Sequence, residues 1–127
     1  MCIRDRFKYH STHFVIVKLR KIHVVYATWC PHCNPTTIEP MKELAKRLGI
    51  ECALYDIDDP AREKIADELV RKYGDWCEDY IIPQVFFEYD DGTIEHVLTG
   101  FSEGVEFTKR AVENLLKSAF LKKLVAE

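Results

Sequence analysis

Hydrophobic and polar positions alternate between two rhythms along this chain, and the changes of rhythm mark its elements. Ile22-His23-Val24-Val25-Tyr26 is short, β-branched and aromatic, the pattern of a buried strand. A helical pattern follows from Pro31 to Leu48, with Ile38, Met41, Leu44, Ala45 and Leu48 spaced by three and four on one face, and Gly49 stops it. Pro31 suits a first helical position, whereas Pro35 and Pro40 each remove a donor and should bend this helix. Glu51–Asp56 reads as a second strand. Asp59-Pro60 then signals a helix start, with Asp59 as cap, and that helix carries Ile65, Leu69 and Val70 to Tyr73-Gly74.

A loop from Asp75 to Ile82 leads into Pro83. Val85–Tyr89 and Ile94–Thr99 pair as a hairpin through Asp90-Asp91-Gly92. A last amphipathic helix buries Val105, Thr108, Val112, Leu115, Leu116, Ala119 and Phe120, with Ser102 as its N-cap. The order is β-α-β-α-β-β-α. Strands joined through a helix run parallel and a hairpin runs antiparallel, so the class is α/β with a central mixed sheet. Phe14–Leu19 is a candidate for a further, peripheral strand.

The chain has 127 residues, enough for one modest core, and we divide it into a tail (1–21), a domain (22–121) and a C-terminal tail (122–127). Met1-Cys2-Ile3-Arg4-Asp5-Arg6 can be encoded by a transposon-end adapter sequence, so residues 1–6 read as a sequencing or cloning scar and stay out of fold reasoning. Val17, if encoded by GTG, is a candidate native start. A composition 47% hydrophobic and 31% charged fits a globular chain, and a net charge of −3 of mixed sign gives no footprint for nucleic acid. No apolar run approaches the roughly 20 residues that cross a bilayer. Phe14-Val15-Ile16-Val17 falls short of the roughly 7–15 apolar residues of a secretory signal. A cytoplasmic protein without membrane partners is the expectation.

Five cysteines, an odd number without a signal peptide, argue against a disulfide-stapled secreted domain. Cys30 and Cys33, at C-x-x-C spacing, therefore point to catalysis or metal binding. Disulfide exchange needs a thiolate, and cysteines at a strand-to-helix junction have pKa values lowered to about 3.5–7.5 by the helix start and neighbouring cations. Cys30 is expected at such a junction, with His32 and Pro31 as tuning residues. Cys33, one turn later and less exposed, is expected to resolve the mixed disulfide. A thiolate favoured in this way stabilises the dithiol and makes the disulfide more oxidising.

Trp29-Cys30-Pro31-His32-Cys33 resembles the W-C-x-x-C of the thioredoxin superfamily, in its compact, glutaredoxin-sized form. Ile82-Pro83, followed by a strand, resembles that family's cis-proline loop. Lys72-Tyr73-Gly74 and Gly100-Phe101 also fall where the family carries similar residues. The resemblance spans roughly 22–121. It implies a thioredoxin fold, a central mixed four-stranded sheet with helices on both faces, and protein-disulfide oxidoreductase activity through Cys30 and Cys33. Substrate would be held at Trp29, Ile82 and Pro83, with the peptide before Pro83 in cis. No bound cofactor or metal is implied beyond the redox-active disulfide Cys30–Cys33, with glutathione as a possible co-substrate. The implied partners are disulfide-bearing proteins or glutathione, and an upstream reductase or oxidant.

Three departures stand out. Val24 occupies the place of the buried aspartate of thioredoxins, the opening strand and helix of that family lack chain, and Asp75–Tyr80 lengthens the loop before Pro83. Several residues have two readings. Cys77 is an accessory redox thiol or an incidental loop cysteine, and Cys52 is a small core residue. Trp29 shapes a substrate face or packs beside the turn. Trp76, Tyr80 and Phe101 line a groove or pack locally, and Ser102-Glu103 loosely resembles the acidic glutathione-binding helix start of glutaredoxins. His23 and His96 read as hydrogen-bonded strand residues, and Asp56–Asp59 as a helix-capping run. The alternatives in function are a glutathione-dependent glutaredoxin-type reductase and a non-enzymatic module whose Cys30 and Cys33 bind zinc or bridge an iron–sulfur cluster across a dimer.

Overall fold

The computed structural model describes residues 18–121 except 79 and 102. The elements are β1 (Leu19–Tyr26), α1 (Ile38–Leu48), β2 (Glu51–Asp56), α2 (Pro60–Tyr73), β3 (Gln84–Tyr89), β4 (Ile94–Thr99) and α3 (Val105–Leu121). The strands form one sheet in the order β2-β1-β3-β4. β1 runs parallel to β2, with Val24 opposite Leu54, and antiparallel to β3, with Val24 opposite Val85. β3 and β4 are antiparallel. This is an α/β protein with a mixed four-stranded sheet and three helices among the described residues.

The pleat splits β1 and β3 between two cores. Ile22, Val24, Val85 and Phe87 face Ile38, Met41 and Leu44 of α1 and Val112 of α3. Val25 and Phe86 turn the other way, with Tyr55, and meet Ala66, Leu69 and Val70 of α2. Helices therefore cover both faces, and β1 and β3, buried on both, carry nearly continuous apolar side chains.

The expected stops and starts hold where the chain is described. Gly49 closes α1 at φ 70°, its N–H reaching the carbonyls of Ala45 and Lys46. The Asp59 side chain accepts the N–H of Ala61, and Pro60 opens α2. Ser102, the expected cap of α3, lies outside the described residues, as do 14–17 of the expected peripheral strand. Leu19, from that stretch, belongs to β1, which is longer than expected because Leu19 pairs with Tyr89 across an irregularity and is buried.

The first helix departs most. It begins at Ile38, not Pro31, and residues 31–37 form successive turns. Cys33 N–H and Asn34 N–H both donate to the Cys30 carbonyl at 3.0 Å, then Thr37 and Ile38 N–H donate to the Cys33 carbonyl at 3.1 and 2.9 Å. Pro35 has no N–H to extend a regular helix, and the Asn34–Pro35 peptide is cis. Pro40 sits in the first turn of α1, where a missing N–H leaves no intrahelical bond unmade. Among the described residues no helix is long and apolar enough to cross a membrane.

Candidate active site: the Cys30 turn and the Pro83 loop

β1 delivers the chain to the turn. Ala27 ends its apolar run fully buried, and its carbonyl accepts the Cys30 N–H at 3.2 Å. Because α1 starts eight residues beyond Cys30, its dipole does not act on that sulfur from an adjacent helix mouth, as the sequence pattern predicts. The short 30–37 turns take that position instead.

Cys30 and Cys33 are free thiols in the same apolar cluster. Cys30 retains 6% of its surface and Cys33 none. Burial pushes the Cys33 thiol well above its ordinary value, a backbone hydrogen bond from Ala27 opposes this, and the Cys30 sulfur raises it further. Cys33 is thus held as a protonated thiol, one turn along the chain from the slightly more accessible Cys30.

Pro31 is exposed and His32 half-buried. Nδ1 of His32 lies 2.7 Å from Oγ1 of Thr108 on α3. Trp29 is 67% exposed, yet its indole N–H donates to the Asp58 carboxylate at 2.8 Å, so it is tethered rather than packed.

On β3's side, the Ile82–Pro83 peptide is cis and Pro83 is buried. The Pro83 carbonyl accepts the N–H of Gly100 at 2.8 Å. A Cβ on Gly100 would stand 2.6 Å from the Ile82 carbonyl oxygen and 2.6 Å from Pro83 Cδ, which explains a glycine at the end of β4. Ile82 packs against both apolar clusters, one of which contains Cys30 and Cys33. The fully buried Gln84 pins the preceding loop. Its side chain accepts the Asp75 N–H at 3.0 Å and donates to the carbonyls of Asp75 and Ile81.

The remaining candidates separate. Cys77 is buried and is not one of the free thiols. Cys52 is half-buried on β2, and burial takes its thiol up to about 11. Trp76 is covered by the Arg71 guanidinium at 3.8 Å and meets Tyr80 edge-on, a local packing arrangement. Phe101 is 41% exposed and Glu103 is exposed, while Ser102 lies outside the described residues. His23 bonds Tyr55 and Glu88, and His96 bonds Thr99, as strand residues. Val24 is fully buried among apolar side chains and places no carboxylate below the dithiol. Among the described residues no three His, Cys, Asp or Glu side chains gather to hold a metal.

Sequence reasoning placed Thr108 among the buried positions of the last helix and Asp58 in a capping run, but gave neither of them, nor Gln84, a part in the site. Thr108 and Gln84 were detectable in principle as polar residues inside apolar stripes, but their partners lie far along the chain.

Compared with known proteins, the chain matches no protein-family model, no curated protein and no solved structure.

Proposed function

We propose that this protein is a thiol–disulfide oxidoreductase of thioredoxin-like fold, working through Cys30 and Cys33. The observation that carries the reading is the pair itself: two free thiols in one apolar cluster, Cys33 fully buried with its thiol raised by burial and by the neighbouring Cys30. The β-α-β-α-β-β-α order and the buried cis Pro83 before β3 support it.

In the reductive direction, the Cys30 thiolate attacks one sulfur of a substrate disulfide. A Cys30–substrate disulfide forms, and the other substrate sulfur leaves and takes up a proton. Cys33 then loses its proton and attacks Cys30 Sγ, which releases the second substrate thiol and closes the Cys30–Cys33 disulfide. Two electrons and two protons pass to the substrate, and the oxidised protein runs the same steps in reverse. With only 6% of Cys30 exposed, the substrate sulfur must reach it through a small accessible area. The backbone around Pro83 would hold an extended substrate segment by strand-like hydrogen bonds. Substrates are disulfide-bearing proteins or glutathione, with an upstream reductase or oxidant setting the direction. A reducing compartment such as the cytoplasm suits a dithiol resting state.

Redox titration in glutathione buffers with mass analysis tests this. Cys30→Ser should abolish disulfide exchange and Cys33→Ser should accumulate mixed disulfides. A wild-type protein that forms no Cys30–Cys33 disulfide in any buffer would refute the reading. A stable Cys30–glutathione adduct would identify glutathione as co-substrate.

A further inference from the structure

One buried hydroxyl connects the two halves of the site. Thr108 is fully buried on α3, and its Oγ1 meets His32 Nδ1 at 2.7 Å while accepting the backbone N–H of Phe101 at 2.9 Å. Phe101 follows Gly100, whose N–H is bonded to the Pro83 carbonyl. The turn that carries His32 and the segment that leans on Pro83 are thus fastened to the same oxygen.

A hydroxyl has one proton and two acceptor sites. The Phe101 N–H occupies one acceptor site, so the oxygen is already a recipient. Among the described hydrogen bonds, His32 Nδ1 is the acceptor available to the hydroxyl proton. A buried O–H left without an acceptor is disfavoured. Nδ1 of the neutral ring is then unprotonated and the ring proton sits on Nε2.

We propose that Thr108 is a positioning residue of the redox site, fixing the ring of His32 in its Nε2–H tautomer while anchoring the Gly100–Phe101 segment beside Pro83. This rests on the reading of Cys30 and Cys33 as the redox pair. His32 lies between the two cysteines in sequence, on the turn closed by the Cys33 N–H to Cys30 carbonyl bond. A fixed N–H donor beside a dithiol favours the reduced state, because a thiolate accepts hydrogen bonds far more strongly than a disulfide. Thr108 acts on this balance only through His32.

The test uses the full chain with Thr108→Val, Thr108→Ser, His32→Ala and the Thr108→Val/His32→Ala double variant. The readouts are the equilibrium with glutathione and the ring nitrogen chemical shifts of His32, at a pH where the ring is neutral. Thr108→Val should move the equilibrium about tenfold towards the disulfide, about 30 mV for a two-electron couple. Thr108→Ser, which keeps the hydroxyl, should stay within about twofold of wild type, and Thr108→Val should add less than about twofold once His32 is alanine. The wild-type nitrogen shifts should report a proton on Nε2. A proton on Nδ1, or an equal effect of Thr108→Val with and without His32, would overturn the inference and leave the dithiol reading standing. Absence of any Cys30–Cys33 disulfide would remove both. If Thr108→Val fails to fold, the serine variant and the wild-type shifts still decide.

Discussion

Trp29 and Asp58 are joined by a 2.8 Å hydrogen bond from indole N–H to carboxylate, across the gap between the Cys30 turn and the turn from β2 to α2. The most exposed aromatic at the site therefore has a fixed orientation. Asp58→Ala should free the indole and change its fluorescence emission, read in a Trp76→Phe background. Both partners are exposed, so stability should move by less than about 0.5 kcal/mol. An unchanged spectrum would show that the tether does not hold in solution.

Gly100→Ala drives a methyl group into the Ile82 carbonyl and Pro83 Cδ, and neither backbone oxygen nor ring can swing aside as a flexible side chain would. Urea unfolding should show a loss of about 1–3 kcal/mol, the usual cost of overpacking. Disulfide exchange should fall as well, since the Pro83 loop must shift.

Alkylation order and alkaline stability both follow from burial. With its thiol taken from 9.0 up to about 11, Cys52 carries about a hundredfold less thiolate at pH 8 than an unperturbed cysteine. Greater intrinsic nucleophilicity offsets about half of this on a logarithmic scale, which leaves alkylation roughly tenfold slow. Cys33, fully buried and raised in the same direction, should also lag behind Cys30 in peptide mapping after iodoacetamide.

A thiol raised in the folded state contributes stability that is complete below its unfolded value and is lost as pH rises above it. Cys52 makes that contribution in both redox forms, with a window from about 9 to about 11. Cys33 makes it only when reduced. The reduced protein should therefore lose more stability than the oxidised protein from pH 9 upward, measured as urea midpoints. Parallel curves would contradict the burial of the Cys33 thiol.

Glu88 lies between Arg20 and His23, and its carboxyl is held below the ordinary carboxylate value, first by the Arg20 hydrogen bond and then by His23, against some desolvation. A lowered acid contributes stability above its unfolded value, near 4.5, which is lost as pH falls through the folded one. Glu88→Gln should cost about 1 kcal/mol at neutral pH, a modest figure because Arg20 is half exposed. Wild type and variant should converge as the solution is acidified below pH 4.5. A constant difference down to pH 2 would show that charge is not the source.

Apolar rhythm and punctuation residues determined the order of elements, the parallel and antiparallel pairings, the Asp59 cap, the Gly49 stop and the spacing of Cys30 and Cys33. These depend on neighbours within a few residues, where backbone sterics and side-chain periodicity act directly. The start of α1 escaped that logic because Pro35 interrupts a stretch whose other residues suit a helix. Tertiary structure alone decided which distant groups meet: Thr108 with His32, Asp58 with Trp29, Gln84 with the loop before Pro83. The first and last are hydrogen bonds satisfied where packing removes water, the second is formed at the surface, and one sequence read along its length holds no record of which donor will be left facing which acceptor.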